Sequence, residues 1–347
     1  MIENLFKKKI KKPIFISELS SNHNGSITNA KKIIKFSKKY GADYIKLQTY
    51  SPETITLNSK KKDFLLKKGE WKGQYLWNLY KKAHTPFNWH KELFEYSKKI
   101  GIKCFSSPFD ETAVDLLEKL NTPIYKIASF EITHLPLIKE VALTKKPVIM
   151  STGMASLKEI ETAYNLILKY HNKVILLYCV SSYPANESEF DLSNIQFLKK
   201  HFNCPIGFSD HSLNSNVAKQ AALLGAEIFE KHVAIKNVKS PDYNFSLKEN
   251  EIKDYIFDIN NSYKIKNNKN FIGKKNIFYK DYRRSIYSSK QIKKGELFSH
   301  KNIKVVRPAK GLEPKYFTKL IGKKSPFNIE FATPISIKVL NKIKKYN

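Results

Sequence analysis

The pattern of apolar and polar positions repeats through the first three quarters of the chain. Short runs of β-branched and aromatic residues, each ending in a polar residue, alternate with amphipathic runs of helical spacing. Apolar runs of this kind are typical of parallel strands buried on both faces, and the runs between them predict helices. The predicted strands cover residues 13–18, 43–48, 102–107, 123–129, 147–152, 173–180, 205–210 and 226–232. The predicted helices cover residues 28–40, 89–99, 111–120, 135–143, 157–170, 192–201 and 214–224.

Strand-then-helix units in this number and order predict an α/β fold, a (β/α)₈ TIM barrel. An open, doubly wound sheet is the alternative, and it is disfavoured because no GxGxxG sequence follows the first predicted strand. In a barrel of this type the active site lies at the carboxyl ends of the strands. The polar residues that end the predicted strands are therefore the candidates for function.

Two parts of the chain depart from the alternation. The connection from Tyr50 to His84 is unusually long and contains GEWKG at 69–73, and loops of this length are usually lids or binding loops. After the eighth predicted strand, an Asn/Lys-rich stretch at 264–270 predicts a linker, and short strands with turns follow from Ser285. We therefore predict a barrel domain over residues 1–263, a linker over 264–284 and a small β-rich module over 285–347.

Composition and charge narrow the classes of function. The chain has 347 residues and 41% hydrophobic residues, which excludes a disordered protein and allows a large core. Its 62 Lys and Arg against 31 Asp and Glu give a net charge of +31, which suggests a nucleic-acid or acidic partner. The lysines, however, are spread in pairs along polar helix faces, without a recognition-helix, RNP or zinc-finger pattern. We expect no nucleic-acid partner, and a basic surface-binding protein on a barrel scaffold stays the alternative from another class.

Cysteine usage and the length of the apolar runs bear on location. Cys104, Cys179 and Cys204 lie far apart without CxxC spacing, which fits a reducing compartment. The sequence shows neither a secretory leader nor an apolar run of bilayer-spanning length. The basic stretch at 7–12 is interpreted as a solvated lead-in to the first strand. We expect a cytoplasmic protein with no membrane partner.

Two histidines follow neighbouring predicted strands. GFSDHS places His211 after the seventh strand, and EIFEKH places His232 at the end of the eighth, with Asp210 and Glu230 nearby. If these strands are parallel neighbours, both imidazoles project from the same end of the sheet, where they suit a divalent metal with open coordination positions. A structural role for either histidine is the alternative that spacing alone leaves open.

Several segments together resemble the sialic acid synthase family. The resemblance covers nearly the whole chain and includes the C-terminal module, which looks like the antifreeze-like (SAF) domain of that family. No segment is decisive alone, but their number and order are. The matching segments are ISELSSNHNG (16–25), IKLQTY (45–50), SSPFD (106–110), YKIASFE (125–131), STGMA (151–155), YCVSSYP (178–184), GFSDHS (207–212), EKH (230–232), SPDYNFSL (240–247) and VRP (306–308).

The resemblance implies condensation of phosphoenolpyruvate with an amino-sugar, with C–O cleavage and release of phosphate. Phe130, which stands where sialic and legionaminic acid synthases usually have glycine, resembles the pseudaminic acid branch, as do SSPF, KSPD and the GEWKG loop. An aromatic side chain there suits an acceptor with a methyl group rather than a hydroxylated tail. The implied acceptor is a 2,4-diacetamido-2,4,6-trideoxy hexose of the altrose type. The same reaction on N-acetylmannosamine or on the legionaminic acid precursor is the alternative.

The resemblance also implies a role for each polar strand end. His211 and His232 would hold a divalent metal, Mn²⁺ in preference to Mg²⁺ or Co²⁺, that acts as a Lewis acid on the sugar aldehyde. Glu18, Glu131 and Glu230 are the candidate acid and base groups. Contacts to phosphoenolpyruvate are implied for Lys46, Ser107, Lys126, Ser129, Ser151, Ser181 and Ser209. Contacts to the sugar are implied for Phe130, Tyr183 and Asp242.

The C-terminal module is implied to act across a dimer. In the family that the chain resembles, this module crosses to the other barrel, so a domain-swapped homodimer is expected. Arg307 would then reach from the module into the neighbouring subunit's site. Arg307 as an ordinary surface arginine, and the serines as ordinary strand-end or N-cap residues, are the alternatives.

Overall fold

The computed structural model describes residues 2–7, 10–267 and 281–344. These residues fall into two compact units, which divide between Asn268 and Lys269. Within the predicted linker, residues 264–267 belong to the last helix of the first unit, and residues 268–280 lie outside the described residues. The domain boundary predicted at residue 263 therefore falls inside a helix.

The first unit is a closed barrel of parallel strands. Each strand pairs with the next along the chain, and pairing of the first with the eighth closes the barrel, which confirms the predicted TIM barrel. A short ninth strand, β9, pairs with β8 outside the ring. The strands are β1 (Ile14–Glu18), β2 (Tyr44–Thr49), β3 (Lys103–Pro108), β4 (Tyr125–Ile127), β5 (Val148–Ser151), β6 (Val174–Cys179), β7 (Ile206–Asp210), β8 (Ile228–Ala234) and β9 (Leu247–Lys248).

The carboxyl ends of two strands differ from the prediction by two residues, whereas those of the other barrel strands lie within one residue of it. The fourth strand was predicted to reach Ser129, but β4 ends at Ile127, and Ser129–Glu131 forms a single 3₁₀ turn. The eighth was predicted to end at His232, but β8 continues to Ala234, so the imidazole projects from within a strand. The strand continues because Val233 and Ala234 pair with β9, a partner strand that local sequence does not reveal.

Helices cover the outside of the barrel. The segment predicted as a long loop, Tyr50–His84, contains two of them and a 3₁₀ turn at Lys62–Phe64. The helices of the first unit are α1 (Glu3–Phe6), α2 (Ile27–Lys39), α3 (Pro52–Ile55), α4 (Leu76–Ala83), α5 (Phe87–Ile100), α6 (Glu111–Lys119), α7 (Leu135–Leu143), α8 (Leu157–Leu168), α9 (Ser193–His201), α10 (Asn216–Leu224) and α11 (Glu251–Asn267).

Side chains alternate between the two faces of each barrel strand, and this divides the core in two. Outward-facing residues pack against the helices in one continuous cluster, which includes Phe15, Ile45 and Phe208. Inward-facing apolar residues fill the amino-terminal half of the barrel, as in other barrels of this fold. This lower layer consists of Ile14, Ile16, Tyr44, Phe105, Ile124, Ile149, Ile175, Leu177 and Ile228.

Helix α1, which the sequence analysis missed, closes the lower end of the barrel. Ile2 and Leu5 are buried against the lower layer, and the backbone N–H of Ile2 donates to the Tyr44 hydroxyl at 3.3 Å. Lys7, Lys11 and Lys12 are exposed, as expected of a solvated lead-in, and residues 8–9 lie outside the described residues. The helix is one turn long, too short for a hydrophobic period to predict it.

The second unit has its own apolar core. Strands β10 (Ser285–Ser288) and β11 (Ile303–Val306) pair antiparallel, and helices α12 (Phe317–Leu320) and α13 (Ile337–Lys344) follow. Ile286, Phe298, Leu320 and Ile335 are among the residues buried in its core. In neither unit does any helix of the described residues have the length and apolar character needed to cross a membrane.

Candidate active site

Directly above the lower layer, each strand of the barrel contributes one further inward-facing residue. All of these side chains are buried, and on every strand except β7 the residue follows a member of the lower layer by two positions. We call this set the inner ring. Its members are Glu18, Lys46, Ser107, Lys126, Ser151, Cys179, Ser209 and Glu230. The ring replaces apolar packing with charge and hydroxyl groups at the level where the active sites of this fold lie.

Opposite charges are paired within the inner ring. Lys46 Nζ lies 2.6 Å from Glu18 Oε2 and 3.8 Å from Glu230 Oε2. Lys126 Nζ lies 3.9 Å from Glu230 Oε1, which also accepts a hydrogen bond from Ser209 Oγ at 3.1 Å. Buried charges are costly unless they are paired, and each of the two lysines has a carboxylate partner on the floor of the site.

The ring separates the pKa values of its carboxyl groups. Burial would raise the pKa of Glu230, but Lys126 and Lys46 outweigh it and hold that pKa below its usual value. Burial dominates at Glu18 and raises its pKa to about 7, although Lys46 lies beside it. Burial lowers the pKa of Lys126, whereas at Lys46 the two glutamates overcome burial and raise the pKa. Glu230 is therefore ionised at neutral pH, while Glu18 can carry a proton.

The 3₁₀ turn after β4 brings three predicted residues to the cavity. Ser129 Oγ lies 3.1 Å from Cys179 Sγ, Phe130 is exposed, and burial raises the pKa of Glu131 to about 7. Close by, a Cβ atom on Gly153 would lie 2.3 Å from Ser181 Oγ and 2.7 Å from Cys179 Sγ. Only glycine therefore lets these polar side chains approach one another.

The two histidines lie side by side above Glu230, with ring centroids 5.6 Å apart. His211 Nδ1 lies 2.9 Å from the carbonyl oxygen of Val180, so Nδ1 carries the proton and the lone pair is on Nε2. His232 Nδ1 is buried, has no hydrogen-bond partner among the residues that the structure describes, and lies 4.0 Å from Asp242 Oδ2. Burial lowers the pKa of His211 to about 4 and that of His232 well below its usual value, so both imidazoles are neutral at pH 7.

These two imidazoles fit a metal ion with two protein ligands. Neutral imidazole is the form that binds metals, and a buried ring nitrogen without a partner is costly unless something occupies it. Among the described residues, however, no group of three or more His, Cys, Asp and Glu side chains is arranged to hold a metal. Any ion at His211 and His232 would take its remaining ligands from substrate or solvent.

A cavity of about 290 Å³ opens above the inner ring. Its floor is polar, and its opposite wall is formed largely by the segment after β2, which contributes Ile55, Leu66, Trp71, Leu76, Leu79, Tyr80 and Ala83. Trp71 Nε1 donates to the Pro241 carbonyl oxygen at 3.0 Å, and the indole packs 5.5 Å from the Tyr183 ring. The Tyr50–His84 segment, predicted as a lid or binding loop, thus covers the cavity and is partly helical.

The predicted sugar-side residues lie along this wall. The Tyr183 ring packs 4.4 Å from His211 and 6.5 Å from Phe130, centroid to centroid. Asp242 lines the cavity, and its Oδ2 accepts hydrogen bonds from Ser20 Oγ at 2.5 Å and Ser21 Oγ at 2.7 Å. Asp242 therefore also fixes the turn after β1.

The structure brings most of the predicted site residues together, but not all. Glu18, Lys46, Lys126, Ser129, Phe130, Glu131, Ser151, Tyr183, Ser209, His211, Glu230, His232 and Asp242 line the cavity. Ser107 and Ser181 lie behind its surface: Lys46 Nζ donates to Ser107 Oγ at 3.3 Å, and Ser181 Oγ lies 4.0 Å from Cys179 Sγ. Arg307 follows β11 in the second unit, where it is exposed.

Sequence reasoning assigned no role to several residues of the site. Gln48, which ends the second predicted strand, donates from Nε2 to Glu18 Oε1 at 3.0 Å and so orients a candidate acid. Cys179 belongs to the inner ring, and its place follows from counting two positions beyond Leu177. Trp71 lies between two glycines of a long connection, which marks it as a candidate. No spacing rule, however, predicts its hydrogen bond to Pro241.

Comparison with known proteins places the chain in a family. Residues 33–271 match the NeuB family, and residues 283–339 match the SAF domain. The pseudaminic acid synthase of Campylobacter jejuni serotype O:23/36 is 41% identical over 92% of this chain and 94% of that protein. The pseudaminic acid synthase of Helicobacter pylori is 39% identical over 93% of this chain and 96% of that protein.

A solved structure agrees with the sequence matches. The N-acetylneuraminic acid synthetase of Leptospira borgpetersenii, solved in complex with citrate, superposes with a TM-score of 0.69 and 32% identity. The match covers 76% of this chain and 88% of that chain. The predicted family is confirmed: the chain belongs to the NeuB family and is a phosphoenolpyruvate-dependent synthase, a transferase, with a C-terminal SAF domain.

Proposed function

We propose that the protein condenses phosphoenolpyruvate with a 2,4-diacetamido-2,4,6-trideoxy hexose to give pseudaminic acid and phosphate. The observation that carries the reaction class is the inner ring, which presents two buried lysines and several hydroxyl groups to the cavity. Two pseudaminic acid synthases related over more than nine tenths of this chain support the choice of acceptor. Both substrates are small molecules that the cavity can enclose.

Phosphoenolpyruvate binds on the floor of the cavity. Its phosphate and carboxylate groups need cations and hydroxyl donors, and Lys126, Ser129, Ser151 and Ser209 supply them for the phosphate, with Ser107 and Ser181 behind. Lys46 meets the carboxylate. A lysine acts on such an anion as a compact point charge, and the attraction between the two is strong here because the site is buried.

The carboxyl groups have different roles in the reaction, and these roles follow from their pKa values. The enol carbon attacks the sugar aldehyde, the positive charge that develops at C2 is captured by water, and the tetrahedral intermediate releases phosphate by C–O cleavage. Glu230, ionised between the two lysines, stabilises the developing cation. Glu18 and Glu131, whose pKa values burial raises to about 7, move protons to the aldehyde oxygen and from the water.

A divalent metal, Mn²⁺ in our proposal, would be held by His211 and His232. Bound there, it would supply Lewis-acid polarisation of the sugar's carbonyl oxygen. The imidazoles themselves are positioned by protein contacts: Val180 fixes the tautomer of His211, and Asp242 lies beside His232. If the site is correct, His211→Ala and His232→Ala fold normally and lose Mn²⁺-dependent activity. Unchanged Mn²⁺ dependence in either variant would contradict it.

The acceptor is selected by the wall opposite the floor. Phe130, Tyr183 and the side chains of the Tyr50–His84 segment offer aromatic and aliphatic surface, which suits the methyl and acetamido groups of a deoxy sugar. A hydroxylated tail would lose its water against such a wall without gaining partners. We place pseudaminic acid synthesis ahead of sialic or legionaminic acid synthesis for this reason.

The function is tested with three acceptors in parallel. Purified protein, phosphoenolpyruvate and Mn²⁺ are mixed with the altrose-type sugar, with N-acetylmannosamine or with the legionaminic acid precursor, and phosphate release is measured. We expect the altrose-type sugar to have the highest kcat/KM. Equal or better use of N-acetylmannosamine overturns the acceptor, and no phosphate with any of the three overturns the reaction.

We also propose that the protein is a domain-swapped homodimer in which Arg307 serves the partner's site. Arg307 follows β11 in the second unit, where its side chain is exposed. Light scattering tests the assembly. Mixing an Arg307→Ala chain with a Lys126→Met chain should restore activity in heterodimers, because one of the two composite sites is then intact.

A further inference from the structure

A second charged pair lies behind the histidines, on the outer face of the barrel wall. Asp210 ends β7 directly before His211, Lys231 precedes His232 on β8, and the register of the two strands pairs Asp210 with Lys231. Because side chains alternate along a strand, these two point outward while the imidazoles point inward. Their charged groups are 3.4 Å apart, and both side chains are 0% exposed.

The partners of this pair include Ser212, which lies one residue beyond His211. Asp210 Oδ1 accepts hydrogen bonds from the backbone N–H of Ser212 at 2.8 Å and from its hydroxyl at 2.7 Å. Asp210 Oδ2 accepts one from the Tyr255 hydroxyl on α11, and Lys231 Nζ donates to the Ser212 carbonyl oxygen. These contacts therefore fix the backbone on both sides of His211, and one of them comes from Lys231 on β8.

Stability does not explain a pair of this kind. Removing two charges from water costs several kcal/mol, and apolar residues of the same size often stabilise a protein equally well or better. Apolar residues do occupy other outward-facing positions of this wall, since Phe208 and Phe229 face outward from the same two strands. A fixed geometry, by contrast, is what a hydrogen-bonded ion pair gives and an apolar contact does not.

We propose that Asp210 and Lys231 are positioning residues, which set the spacing of His211 and His232 for a divalent metal. The proposal rests on the metal site of the proposed function and extends it to groups that never touch the ion. The pair acts as one link between the two ligand-bearing strands: it fixes the turn after His211 through Ser212 and fixes the register of β8 at His232. The ligand addressed is a divalent cation that prefers imidazole, such as Mn²⁺.

The test measures direct binding of Mn²⁺ to the whole protein. The paramagnetic resonance signal of the free ion is the readout. Lys231→Met keeps the length of the side chain and leaves Asp210 with its three hydrogen-bond donors. The double variant Asp210→Asn with Lys231→Met removes both charges, in case a lone carboxylate destabilises the fold. We expect about 10- to 100-fold weaker Mn²⁺ binding in both, the range found when partners of metal ligands are removed.

Two comparisons separate the possible failures. Wild type against His211→Ala shows whether the metal site exists, and if the two bind Mn²⁺ equally, both the site and this role are wrong. Lys12→Met is the matched control, because it removes an ion pair with Asp43 at 3.1 Å at the other end of the barrel and should not change Mn²⁺ binding. Circular dichroism and melting temperature report folding for every variant.

The decisive result is the relation between stability and affinity. If the pair were merely structural, the Lys231 variants would melt at a lower temperature and bind Mn²⁺ as wild type does. That result in either folded variant overturns the proposal. Weaker binding in both Lys231 variants, with Lys12→Met unchanged, supports it.

Discussion

The Nζ atom of Lys46 lies 2.6 Å from Oε2 of Glu18, and neither side chain is more than 4% exposed. The same lysine must meet the carboxylate of phosphoenolpyruvate if the proposed function is correct. Glu18 and the substrate are therefore competitors for one cation. A substrate that binds here must either share Lys46 with Glu18 or find Glu18 protonated, which its pKa of about 7 allows.

Glu18→Gln is expected to separate binding from catalysis. The amide removes the competing negative charge, so phosphoenolpyruvate should bind as tightly as in wild type or more tightly. The rate should fall about 10²- to 10⁴-fold, because a group that transfers protons is lost. Calorimetric titration gives the affinity, and phosphate release gives kcat. Glu161→Gln, on α8 outside the cavity, is the control, and a wild-type kcat in Glu18→Gln would remove Glu18 from the reaction.

Glu131 should make the protein less stable as the pH rises. Burial raises the pKa of this carboxyl from 4.5 to about 7, so in this range the folded state holds a proton that the unfolded state releases. The free energy of unfolding therefore falls as the pH rises from 4.5 to about 7, and it levels off above that pH. Glu131→Gln has no proton to lose, and at about pH 8 it should be more stable than wild type by up to about 3 kcal/mol.

Urea unfolding of both proteins at about pH 5 and about pH 8 measures this difference. The gain from Glu131→Gln should be small at the lower pH and appear at the higher one. The exposed residue Glu95 on α5 provides the control Glu95→Gln, which should show no such difference between the two conditions. A gain of equal size at both pH values would mean that packing, and not the proton, is responsible.

Much of the inner ring could be predicted from sequence, and the exceptions have physical causes. Lys46 and Lys126 interrupt apolar strands, where a buried charge has no structural role. They could therefore be identified as site candidates from sequence alone. Cys179 could not be identified in this way, because cysteine is also common in buried apolar cores. Closure of the barrel supplies the missing information, since it shows which of two alternating faces looks inward.

The wall opposite the ring shows a different limit. Leu76, Leu79, Tyr80 and Ala83 have helical spacing, so helix α4 could have been predicted from its period. What the period cannot say is that this face covers a cavity instead of a core. The pairing of Trp71 with Pro241 joins segments that are 170 residues apart, and no local signal reports such a contact.

Trp71→Phe should affect the acceptor more than phosphoenolpyruvate. The ring that packs on Tyr183 is kept, but the hydrogen bond to Pro241 is lost, which costs about 1 kcal/mol, or roughly fivefold. We expect KM for the sugar to rise by about that factor and KM for phosphoenolpyruvate to stay within twofold. Steady-state kinetics with each substrate varied in turn measures both.

Trp77→Phe is the matched control for this prediction. Trp77 belongs to α4 in the same segment but does not line the cavity, so both KM values should stay at the wild-type level. Equal increases in both KM values for Trp71→Phe would indicate general loosening of the segment and would contradict a role limited to the acceptor.

Gly153→Ala should damage the part of the site where we propose that phosphate binds. The added Cβ would lie 2.3 Å from Ser181 Oγ, so the chain must shift, at a cost of roughly 1–3 kcal/mol in the free energy of unfolding. Binding of phosphoenolpyruvate should weaken at the same time, because Ser129 and Cys179 are crowded too. Thermal unfolding and calorimetric titration measure the two effects.

A second substitution distinguishes crowding from a backbone effect. Adding Ser181→Ala to Gly153→Ala removes the nearest atom and should recover part of the lost stability, while Ser181→Ala alone should cost little. No recovery in the double variant would show that the backbone at residue 153, and not the crowded hydroxyl, requires glycine.

The inner ring takes one member from each strand of the barrel, so its assembly depends on the folding of the whole barrel. No fragment that lacks a strand can assemble the full set of charges and hydroxyls. The first and last members, Glu18 and Glu230, come from strands that meet only when the sheet closes on itself. During refolding, the ability to hold phosphoenolpyruvate should therefore return in step with closure of the β1–β8 seam, later than secondary structure.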